Sequence, residues 1–144
     1  MSVGKWLLIA LLFGGAVRAW QLHERTVAER GLLSASDTNG FVAVAMPDGA
    51  QPDTAIILAA LNCPSAQAKR ADAMAAQLNR MGIPNRRANN FSVSHITREQ
   101  VALIERTNVV MTGEIPIVFI NGMAKANPSI EEVVAEYRRI KADN

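Results

Sequence analysis

Cysteine is almost missing from this sequence: Cys63 stands alone in 144 residues. A single cysteine excludes an internal disulfide, so no covalent staple supports the fold. Histidine is nearly as scarce, with only His23 and His95. Two histidines, one cysteine and scattered carboxylates have no ligand spacing for zinc, and no metal site is inferred. Charge of one sign is also lacking, with 15 Lys and Arg against 13 Asp and Glu for a net charge of +2. No Lys/Arg-rich run occurs, so nothing points to nucleic acid. Internal repeats and low-complexity tracts are absent. What remains is a globular balance of 49% hydrophobic and 19% charged residues, enough for one domain with a core plus a short appendage.

The appendage comes first. Trp6 to Val17 is an unbroken apolar run after Lys5. It is shorter than the ~20 residues of a full membrane span and suits a signal-peptide core. Val17 and Ala19 supply small residues at the two positions that signal peptidase reads, which predicts cleavage after Ala19. An uncleaved anchor is the alternative. Trp6 and Trp20 bracket the run as interfacial residues do, and Arg18, Arg25 and Arg30 follow it. Either way residues 1–19, as signal peptide or membrane anchor with the apolar run as an N-terminal hydrophobic helix, predict an exported protein, periplasmic or membrane-anchored facing outside the cytoplasm. Residues 20–40 read as a short polar helix and a linker, the latter being Ser34 to Gly40.

Residues 41–144 read as the folded domain. Phe41 to Met46 alternates and predicts a strand. Thr54 to Leu61 is nearly all apolar, the pattern of a strand buried on both faces. Asn62-Cys63-Pro64-Ser65 leads into an alanine-rich helix reaching Met81, with Ala71, Met74, Ala75, Leu78 and Met81 as its inner stripe. Ile83 to Arg87 predicts a second strand, which completes a right-handed βαβ unit. Thr97 with Gln100 predicts a capping box for a helix over Arg98 to Met111. Ile115-Pro116 precedes the strand Ile117 to Ile120. Asn121-Gly122 predicts a two-residue hairpin turn before a returning strand, Met123 to Ala126. Ser129 with Glu132 caps a last helix with Ile130, Val133, Val134, Tyr137 and Ile140 inward. The expected fold class is α/β, a mixed sheet with helices on both faces.

The order and spacing of three features resemble the thioredoxin superfamily, glutaredoxins most of all. An apolar strand runs into Cys63-Pro64 at a helix start. Ile115-Pro116 stands where that family has its cis-proline. Ile117 to Gly122 looks like the hairpin that follows it. The resemblance spans about residues 54–141. It implies a thioredoxin-like sandwich with Cys63 as catalytic nucleophile and Pro64, Ile115 and Pro116 shaping a substrate groove. If Pro116 is cis it faces Cys63 and leaves the Ile115 backbone free to pair with an extended substrate. A cysteine at a helix start meets unpaired N–H groups and the positive end of the dipole, which favours the thiolate. Pro64 suits the first helical position.

Ala66 stands where dithiol members carry a second cysteine, so the implied chemistry is monothiol. No resident cofactor is implied, and glutathione enters as co-substrate. Ala126-Asn127-Pro128-Ser129 occupies the stretch where glutaredoxins place paired glycines and an acidic residue. Two functions stay open on the sequence. One is thiol–disulfide exchange with protein thiols or disulfides through Cys63. The other is a non-catalytic module that holds a partner peptide in the groove beside Pro116. A covalent dimer through Cys63 needs only an exposed thiol. Arg86-Arg87 reads as a solvated strand end or an attractor for an anion, His95 as a surface residue, and Met74, Met81 and Met111 as core.

Overall fold

The two most apolar stretches of the domain become its two central strands. The computed structural model describes residues 39–143, within the second of two units into which the chain divides, Ala35–Asn144. The readings for Trp6 to Val17 and for the polar helix from Gln21 lie outside the described residues. Among the described residues no helix is long and apolar enough to cross a membrane.

The elements follow in the order β1 (Val42–Ala43), β2 (Ala55–Leu58), α1 (Ala66–Arg80), β3 (Asn85–Ala88), a 3-10 turn (Arg98–Gln100), α2 (Val101–Met111), β4 (Ile117–Ile120), β5 (Met123–Ala126) and α3 (Ile130–Ala142). The strands form one mixed sheet in the order β1-β5-β4-β2-β3. β2 and β3 are parallel, joined through α1, and the other pairs are antiparallel.

Every residue of β2 and β4 is buried, because helices cover both faces. Ala55, Ile57, Val118 and Ile120 pack with Ala71, Met74 and Leu78 of α1 and Val133, Val134 and Ile140 of α3. Ile56, Leu58, Ile117 and Phe119 pack on the other face with Val110 of α2. Each fully buried Ile or Phe contributes about 1.5–3 kcal/mol of apolar transfer, so these two strands anchor both cores. The expected α/β architecture with helices on both faces is what forms.

Several element ends differ from the sequence reading. β2 stops at Leu58, so Leu61 lies in the following loop and is exposed. α1 stops at Arg80, which takes Met81 off the inner stripe and leaves it 55% exposed, against the expected core role. Only Val42–Ala43 of the first apolar stretch pairs, but Phe41, Val44 and Ala45 are buried without a ladder. The hairpin turn forms as expected, with Asn121 and Gly122 both at positive φ (43° and 83°). Both polar residues of the last capping box act: Ser129 N–H donates to Glu132 at 2.9 Å and Glu132 N–H to Ser129 Oγ at 3.2 Å. Gly113 follows α2 at a close approach. A Cβ there would lie 2.4 Å from the Ala126 side chain on β5.

The irregular stretch after β1 depends on a side chain of α2. Buried Thr107 accepts from the Ala45 N–H at 3.0 Å and donates to the Leu103 carbonyl at 2.7 Å. Thr107→Val preserves the shape but strands the buried Ala45 N–H. It is expected to lower the unfolding free energy by about 1–3 kcal/mol. Urea unfolding should show this as a lower midpoint with an unchanged slope.

Candidate functional site

Strand register decides which loops meet. Leu58, the last residue of β2, pairs with Ile117, the first of β4. The loop leaving β2 and the segment entering β4 therefore lie at one end of the sheet. The first carries Cys63 and the second Ile115-Pro116, whose peptide bond is cis. A hydrogen bond from Arg70 Nη2 on α1 to the Ile115 carbonyl ties the two segments together at 2.5 Å.

Asn62 adopts a left-handed φ of 51°, which asparagine tolerates better than most residues, and turns the chain into Cys63. The helix does not start at Pro64. Ser65 is the N-cap of α1, with extended backbone (φ −61°, ψ 152°) and Oγ accepting from the Ala68 N–H at 3.2 Å. Serine supplies the acceptor that a helix start needs, so Pro64 falls one residue outside it. The thiol consequently meets Ser65 rather than the amides of the first helical turn. The Ser65 side chain and then its backbone N–H hydrogen-bond the sulfur and hold the Cys63 thiol below its ordinary range, against the opposing effect of burial. One hydroxyl can accept from Ala68 and donate to sulfur at once. Cys63 itself is half-buried.

A groove of about 540 Å³ runs beside this arrangement, lined by Ala60, Ser65, Gln67, Arg70, Glu114 and Ile115. Ile115 is 41% exposed within it, while Pro116 is buried beneath and Pro64 is exposed. Cys63, Pro64 and Pro116 are not among its lining residues. The Ile115 carbonyl, expected to be free for a substrate, is already occupied by Arg70. Arg87 on β3 pairs with Asp72 and donates to the Ala60 carbonyl at 3.1 Å, which fixes the wall of the groove. His95 is exposed, at a left-handed φ of 57°. Among the described residues no group of three His, Cys, Asp or Glu converges to hold a metal ion.

Sequence reasoning passed over Ser65 and Arg70. Ser65 was legible as a cap, since serine before an alanine-rich helix is a start signal. Arg70 had no local signal, because its partner is 45 residues away.

Ser65→Ala removes the hydroxyl that does most to lower the Cys63 pKa. The midpoint of iodoacetamide alkylation against pH should move up, towards the ~8.5 of a free cysteine. The same substitution removes the helix cap and should lower stability by about 1 kcal/mol. An unmoved midpoint would show that Ser65 does not govern the sulfur.

Compared with models of protein families, with curated proteins and with solved structures, the chain matches none.

Proposed function

We propose that residues 41–144 are a thioredoxin-like domain, working outside the cytoplasm, in which Cys63 exchanges thiols and disulfides. The observation that carries this reading is the meeting of the Cys63 loop and the cis Ile115-Pro116 segment at one end of the sheet, and the lowered pKa of the Cys63 thiol beside Ser65 agrees with it. The order of elements and the Cys-Pro and Ile-Pro pairs agree with it. The apolar run Trp6 to Val17 supports export.

The chemistry needs a thiolate, a disulfide and a second thiol. The Cys63 thiolate attacks one sulfur of a protein disulfide. That S–S bond breaks, a mixed disulfide with Cys63 forms, and the other sulfur leaves as thiolate. The chain has no other cysteine to attack the mixed disulfide. An external thiolate such as glutathione attacks the partner's sulfur and expels the Cys63 thiolate. One disulfide is exchanged for another, so no further oxidant or reductant is required.

A second reading rests on the groove itself. Its lining pairs an exposed Ile115 with Arg70 and Glu114 and leaves Cys63 out. That favours a module holding a partner peptide along the groove with no covalent step.

The two readings separate at Cys63→Ser. Oxidised glutathione at near-neutral pH should give the wild-type chain a single adduct in intact-mass spectra, and Cys63→Ser none, with circular dichroism unchanged. A folded wild-type chain that forms no adduct would sink the exchange reading and leave the groove reading standing.

A further inference from the structure

Arg86 and Arg87 are neighbours on the edge strand β3, and their side chains point to opposite faces of the sheet. Both terminal amines of Arg87 are engaged, by Asp72 and the Ala60 carbonyl, although its Nε is buried without an acceptor. Those of Arg86 are not. Among the described residues its side chain makes no hydrogen bond or ion pair, although the residue is half-buried and its Nε is sealed from solvent without an acceptor. A buried donor left unpaired costs free energy and calls for an explanation.

Arg86 lines a cavity of about 150 Å³, together with Asp48, Asn90, Phe91 and Ser92. Phe91 stacks on Phe119 at 5.3 Å and closes one wall. Asp48 is the only acid among the lining residues, and its oxygens accept from Ser92 Oγ (3.2 Å), Ser94 N–H (2.9 Å) and Ser94 Oγ (2.8 Å), not from Arg86. Those bonds lower the Asp48 pKa and keep it ionised. Exposed Asn90 makes no hydrogen bond among the described residues, so its carboxamide is a second open donor.

The geometry points to a binding site for a small oxyanion in this cavity, with the Arg86 guanidinium as its main ligand and Asn90 as a second donor. The two terminal amines, which are not sealed and have no partner among the described residues, offer a pair of N–H groups that match a two-oxygen edge. The volume admits a few heavy atoms with a water or two, since one water takes about 30 Å³, and excludes a peptide or a nucleotide. The ionised Asp48 repels a second negative charge, so a monocarboxylate fits better than a phosphate dianion. This site lies on the α2 face of the sheet and stands independently of the reading of Cys63.

The test follows the Arg86 Nε–Hε signal of the ¹⁵N-labelled full chain while sodium acetate is added, and in a second sample inorganic phosphate, with sodium chloride as the reference. A saturating shift with acetate, stronger than with phosphate and absent with chloride, is expected. Asn90→Ala, in an exposed loop, should weaken acetate by about 2- to 10-fold. Arg86→Gln should weaken it by about tenfold or more, followed at the Phe91 amide. Shifts that never saturate, that chloride reproduces, or that survive both substitutions would overturn the proposal. Phosphate binding tighter than acetate would overturn the monocarboxylate assignment.

Discussion

Three pairs join β2 to β4: Ile56 with Phe119, Ile57 with Val118 and Leu58 with Ile117. They form the middle of the sheet, and both layers of helix pack on them. A shift of one residue would turn every side chain to the opposite face, mixing two cores built from different partners. It would also displace Pro116 relative to the end of β2. The same register thus organises the hydrophobic cores and brings the Cys63 loop to the Ile115-Pro116 segment. The site's position is a by-product of core packing.

Polar contacts then fix what the sheet alone leaves loose. At the hairpin end, Asp53 and Asn121 exchange two hydrogen bonds of 2.8 Å, and Lys141 pairs with Asp53 at 2.7 Å. At the start of the domain, Lys125 donates to the Asn39 carbonyl at 2.9 Å, and Asn39 Nδ2 donates to Glu136 at 3.2 Å. Glu136 is completely buried and also holds Arg139 through two bonds, of 2.6 and 3.0 Å. A buried carboxylate without such donors would be costly. The chain therefore enters the domain at a fixed point. Gly40 marks it, because its φ is 76° and a Cβ would come within 2.8 Å of Lys125 Nζ.

Features with a local cause were legible in the sequence. The hairpin turn at Asn121-Gly122, the Ser129–Glu132 cap and the α3 stripe all follow from residues within a few positions of one another. The apolar runs that became β2 and β4 were equally plain. Element ends were less so, because apolar character continues past Leu58 while pairing does not, and Met81 keeps helical spacing after the helix has stopped. Glu136 was half legible: its i,i+3 partner Arg139 is local, but it sits on the inner face of an otherwise apolar stripe, and its other partner, Asn39, lies 97 residues away. The site was half legible. Cys63-Pro64 and Ile115-Pro116 stand out as motifs, whereas the groove's closure by Arg70 depends on tertiary contact alone.

Ser65 carries two duties that are energetically one. Its hydroxyl starts α1 and reaches the sulfur of Cys63, so loosening the helix start loosens the grip on the thiol. The consequence for the proposed exchange lies in the leaving step rather than the attack. A thiol of lowered pKa is a somewhat weaker nucleophile when fully ionised but a better leaving group. In a chain with no second cysteine, release of the mixed disulfide depends on an external thiol displacing Cys63. Ser65 lowers the energy of the species expelled in that step. Ionised sulfur is also the stronger acceptor for its two donors, so the protein favours the free thiolate over the disulfide-bound form. An arrangement of this kind suits a transient adduct better than a permanent covalent link.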